Sequence, residues 1–131
     1  MKKLLFIPAL ALMLSCSGDD SNESTNQSKN YFNPPTWIQG NWKHDNSDAI
    51  PDYRFTSDDF IDLDNGEPLL SYKKQFETLE KAGQKIQVTE NISETKYYVQ
   101  TNIGINFHFD KIASNKIKYT EDQNMTLVKV Q

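Results

Sequence analysis

The chain has 131 residues, a formal net charge of −4 and one cysteine, which bounds it to one small domain with no internal disulfide. Net acidity excludes the basic stripe that nucleic-acid phosphates demand.

Lys2 and Lys3 precede an apolar run from Leu4 to Leu14, followed by Ser15 and Cys16. Two charges, an apolar stretch and a small residue make the layout of a secretory signal, and the stretch falls short of the roughly 20 residues that span a bilayer. Leu12-Met13-Leu14-Ser15-Cys16 resembles a bacterial lipobox, with Met13 where Leu is commonest. The resemblance implies a signal peptide over residues 1–15, cleavage before Cys16, lipidation of that cysteine and attachment to the outer membrane. An acylated Cys16 leaves no thiol for redox or nucleophilic work. Loss of Lys2 and Lys3 takes the net charge to about −6.

Residues 16–35 are almost free of aliphatics and rich in Ser, Asn and Asp, a composition that cannot bury enough surface to fold. They read as a flexible acidic tether with a reach of roughly 20–25 Å. Cys16-Ser17-Gly18-Asp19-Asp20, with Glu23 beyond, resembles the acidic signal of surface-exported lipoproteins of the Bacteroidota. That resemblance favours display on the cell surface over a periplasmic-facing anchor.

The folded domain is expected over residues 36–131. Period-2 alternation predicts strands over 38–43, 53–56 and 60–63. Leu69, Tyr72, Phe76 and Leu79 then recur at helical spacing with Gly83 behind them, which predicts one amphipathic helix over 71–82. Strands follow over 86–92, 96–101, 116–120 and 125–130. The clearest lies between them, where Ile103, Ile105, Phe107 and Phe109 alternate with Gly104, Asn106, His108 and Asp110. Short polar connections make neighbouring strands antiparallel. The expected core unites Trp42, Phe55, Phe76, Ile105, Phe107 and Phe109.

The fold class is therefore mainly β, with about eight antiparallel strands closed into a small barrel or folded into a sandwich, and one helix between the third and fourth. Gly40-Asn41-Trp42 resembles the G-x-W signature of lipocalins, and Pro34-Pro35-Thr36-Trp37-Ile38 resembles the start of short lipocalin-like lipoproteins of the Bacteroidota. The resemblance implies a Trp42 packed at the closed end of a barrel, with a cation from the last strand against it. Lipocalins use Arg there; this chain offers Lys129. A ligand cavity needs more chain than this domain has, so the aromatic side chains are expected to fill the interior.

Asp45, Asp48, Asp52, Asp58, Asp59, Asp62, Asp64 and Glu67 occur with only Arg54 as a cation between them, a candidate surface for a basic partner. Asp62-Leu63-Asp64-Asn65-Gly66 superficially matches a calcium loop. Its glycine comes one place early and Lys73 stands where the loop's final Glu belongs, so a polar turn is the better reading. His44 and His108 lack the spacing of a zinc site, and neither a nucleophile elbow nor a phosphate-binding glycine loop occurs. No catalytic residue, metal or cofactor is implied. The sequence points to a non-enzymatic binding or interaction module held by the lipid on Cys16, meeting a basic protein or a small apolar ligand. The alternatives are a protective inhibitor of a basic envelope-attacking enzyme and a hydrolase of an envelope polymer acting through an unrecognised carboxylate pair.

Overall fold

A computed structural model describes residues 29–121 and 124–131. Among them are nine strands and one α-helix: β1 (Gly40–His44), β2 (Tyr53–Phe55), β3 (Phe60–Asp64), β4 (Glu67–Ser71), α1 (Tyr72–Lys81), β5 (Val88–Ile92), β6 (Lys96–Thr101), β7 (Phe107–Ala113), β8 (Lys116–Tyr119) and β9 (Met125–Lys129). All nine lie in one antiparallel sheet of order β4-β3-β2-β1-β9-β8-β7-β6-β5 that curls into a half-barrel. Two meanders, β1–β4 and β5–β9, are joined where the last strand pairs with the first, Leu127 opposite His44 and Lys129 opposite Trp42.

The turns follow local chemistry. Asn65 and Gly66 both have positive φ, 53° and 82°, the two-residue turn that Asn-Gly favours between antiparallel strands. This hairpin occupies the place of the discarded calcium loop. Ser71 caps α1 by accepting from the Lys74 N–H, and Gly83 at φ 97° ends it behind Ala82. The helix expected over 71–82 thus forms over Tyr72–Lys81, with Phe76 fully buried.

Three expectations need correction. β4 was not foreseen, which puts α1 after the fourth strand; Leu69, assigned to the helical face, lies on this edge strand and is 70% exposed. An edge position accommodates Pro68, which has no N–H to donate. Second, the strand expected from Ile103 begins at Phe107. The Thr101 hydroxyl donates to the Ile105 carbonyl and accepts from its N–H, and Asn106 Oδ1 accepts from the Thr101 N–H. These local bonds replace the ladder there and leave Ile105 only partly buried against the core.

Third, the domain starts earlier than residue 36. Tyr31 and Phe32 are 5% and 1% exposed, and their rings lie 5.4 and 5.2 Å from that of Phe76. Asn33 donates from its backbone and side chain to Glu90 at 2.7 and 2.8 Å, and Lys29 pairs with Glu80 at 3.1 Å. Residues 29–35 are therefore domain, not tether. The rest of the expected tether and the expected signal peptide, including Cys16, lie outside the described residues.

The concave side of the sheet is filled by rings. Phe60 stacks on Phe55 at 4.6 Å and meets Phe107 and Phe109 edge-on at 4.8 and 5.4 Å, while Tyr72 of α1 closes on Phe107 at 4.8 Å. Edge-to-face pairs add to the stabilisation from burial alone. Trp42 is fully buried, donates from Nε1 to the Ile38 carbonyl at 2.7 Å and carries Lys129 Nζ 5.4 Å above its ring. Gly40 makes room for that cation: its φ is 125°, and a Cβ there would sit 3.0 Å from Lys129 Cε. Gly40 and Trp42 thus act together, one leaving the space through which Lys129 reaches the other.

Candidate functional site

The acidic residues do not converge. β1 ends and β2 begins at the edge of the sheet that carries the 45–52 loop and the Asn65-Gly66 turn, so Asp45, Asp48, Asp52, Asp64 and Glu67 gather at one end. Asp58 and Asp59 sit in the β2–β3 turn at the opposite end, because antiparallel neighbours reverse direction. Asp62 lies mid-strand within 3.4 Å of the Tyr72 hydroxyl.

Asp59 does not belong to the surface at all. It is 6% exposed and accepts from the N–H groups of Phe60 and Lys73 at 2.8 and 2.9 Å and from the Ser71 hydroxyl. It ties the β2–β3 turn to the start of α1. Burial pushes its carboxyl above the usual range, against the pull of these three donors. Its neighbour Asp58 goes the other way, because the Lys73 ammonium bonds to it and holds its carboxyl low. The candidate acidic surface contracts to the loop-end carboxylates.

The two histidines have different settings. His44 stands at the rim of the concave face, its Nδ1 2.9 Å from Asp52 and its Nε2 3.0 Å from Met125 Sδ. Both ring nitrogens are engaged. Among the described residues no three His, Asp or Glu converge as a metal site requires.

His108 lies on the outer face, as alternation with Phe107 and Phe109 dictates, and there it belongs to a larger arrangement. Cross-strand register aligns Thr89 with Gln100, Asn91 with Tyr98, and Tyr98 with His108. Residues directly opposite share a face, so these five side chains stand together on the outside of β5, β6 and β7. They line a trough of about 530 Å³, with Glu90 and Ile92 at its edge.

Two of the five are held in place. The His108 ring stacks on Tyr98 at 4.5 Å with 26° between planes, and its Nδ1 lies 3.0 Å from Glu121. The Tyr98 hydroxyl donates to Asp110 at 2.7 Å. The Tyr98 ring, stacked on His108 and tied to Asp110, lines the trough. Lys96 reaches over the same ring, Nζ 5.2 Å from its centre. Thr89, Asn91 and Gln100 make no side-chain hydrogen bond among the described residues. The floor of this edge is braced from within: Tyr97 donates to Glu90 at 2.7 Å, and burial with that carboxylate raises its phenol far above the usual range.

Chemically the arrangement offers an aromatic wall, neutral donors and acceptors, and the His108–Glu121 pair at its side. Sequence reasoning placed His108 outside but missed Tyr98, Asn91 and Gln100. The signal was available in Lys96, Tyr98 and Gln100, the wet-face positions of a strand whose dry face is Tyr97 and Val99. Compared with protein-family models, with curated proteins and with solved structures, the chain matches none.

Proposed function

We propose that this chain is a lipid-anchored binding module of the bacterial envelope, displayed from the outer membrane, that takes its ligand on the outer face of β5–β7 and performs no chemistry on it. The address comes from the sequence: a secretory layout ending at Cys16 and an acidic linker behind it. The observation that carries the binding reading is the contrast between a concave face filled by aromatic side chains and an outer trough whose amides and hydroxyl are left without partners. A concave surface with an aromatic wall and a few converging polar groups is the make-up of a small-ligand site.

Two experiments test this. Fatty-acid labelling of the wild type and of Cys16→Ala should mark only the wild type; equal label in both refutes the anchor. Affinity capture from the envelope with the full-length protein should recover a ligand that the Asn91→Ala/Gln100→Ala double variant loses. Capture undiminished in that variant refutes the trough.

A second reading, an inhibitor that masks a basic enzyme, draws on the exposure of Asp45, Asp48, Asp64 and Glu67 at one end of the sheet. It predicts capture of a basic protein that high salt abolishes and that the trough substitutions leave intact.

A further inference from the structure

We infer that the ligand of the Thr89–Asn91–Tyr98–Gln100–His108 trough is a neutral saccharide, an inference that rests on the trough being a binding site. The groups free to bind are matched to sugar hydroxyls. Each hydroxyl both donates and accepts, and so do the primary amides of Asn91 and Gln100 and the hydroxyl of Thr89. Saccharides also present a face of C–H groups, which packs on an aromatic ring; the Tyr98 ring is fixed by His108 stacked on it and by Asp110 at its hydroxyl. A wall already fixed spares the ligand the ordering of a flexible side chain.

The titratable groups around the trough other than Lys96 already have hydrogen-bond partners. Glu121 faces His108, and Asp110 lies in register between Lys96 and Lys118 while accepting from Tyr98. Glu90 accepts from Asn33 and Tyr97. A ligand bound through these groups would compete with those partners, whereas one bound through Thr89, Asn91 and Gln100 needs none of them moved. The exception is Lys96, whose exposed side chain leans over the Tyr98 ring. A saccharide stacking on Tyr98 takes that place, and the lysine swings into solvent. The volume of about 530 Å³ lies within the roughly 300–1,000 Å³ of small-ligand sites.

The test is an array of neutral glycans probed with the full-length chain in detergent micelles, followed by titration of the best binder at low and high salt. The expected result is binding that salt does not alter. Tyr98→Ala and Gln100→Ala should each weaken it by about tenfold, equivalent to roughly 1.4 kcal/mol, and Tyr98→Phe should retain it because the ring remains. Lys96→Ala should leave the affinity unchanged or raise it, whereas an anionic ligand would be weakened by that substitution and by salt. Absence of any neutral binder, loss of binding in Lys96→Ala, or undiminished binding in Tyr98→Ala overturns the inference. Thermal unfolding of each variant separates lost binding from lost fold. If envelope capture through the trough succeeds while the array is blank, the ligand class fails and the binding module stands; if capture also ignores the trough substitutions, both fail.

Discussion

Phe107 and His108 are adjacent in one strand, yet they belong to opposite halves of this molecule. Phe107 joins a concave face where Phe55, Phe60, Phe109 and Tyr72 pack against one another, and His108 joins an outer face where Tyr98 and three unpartnered polar side chains meet solvent. Burial packs the first face with rings drawn from several strands and the helix. The second gives up little stability by being polar, which is why recognition has room there.

The sharpest way to break this comparison is truncation on each face. Phe107→Ala should destabilise by about 3–5 kcal/mol, against well under about 1 kcal/mol for His108→Ala, a surface change; denaturant midpoints measured side by side decide it. A larger cost for His108→Ala would mean that the outer face, not the concave one, holds the fold together.

Phe32→Ala should cost about 3–4 kcal/mol, although its surroundings in sequence look like linker. Unfolding curves for this variant and for Asn30→Ala, an exposed neighbour, test whether residues 29–35 are part of the core. Equal midpoints would return the segment to the tether.

A smaller effect is expected at the β2–β3 turn. Asp59→Ala orphans one buried and one part-buried backbone N–H, those of Phe60 and Lys73, and should cost about 1–3 kcal/mol, whereas Asp59→Asn keeps an oxygen for both and an amide for Ser71. Protonation separates the neighbours further. Asp59 has a folded pKa above its unfolded one, so its penalty is relieved, and stability gained, as pH falls from the folded value through the unfolded one. Asp58 has a folded pKa below its unfolded one, so its contribution is present at neutral pH and lost as pH drops through the folded value. Stability of Asp59→Asn, followed by denaturation from neutral into the acid range, should therefore fall more steeply than that of the wild type. A parallel profile would refute the assignment.

The smallest effect belongs to the Asp58–Lys73 pair. Both side chains are partly exposed, so Lys73→Ala should cost at most about 1 kcal/mol and less in high salt.

Much of the fold was legible wherever the signal is local. The alternation of Phe107 and Phe109 with His108, the helical spacing of Tyr72, Phe76 and Leu79 with Gly83 behind it, and the Asn65-Gly66 turn each depend on side chains within a few residues of one another. Gly40 and Trp42 were legible as a motif, but the reason for the glycine lay in Lys129, nearly ninety residues away. The candidate site was half legible: alternation put His108 outside, while its partners Tyr98 and Asn91 come from two other strands.

By itself, then, the sequence determined the mainly β class, the helix and the division of most residues into dry and wet sides, because strand and helix periodicity act through backbone geometry that every residue carries. Only the tertiary structure decided that Tyr31 and Phe32 return to the core, that Asp59 is buried under a helix start, that nearby carboxylates part to opposite ends, and that β9 joins β1. Those outcomes depend on which surfaces meet, and a buried contact between distant residues leaves no trace in the spacing of either.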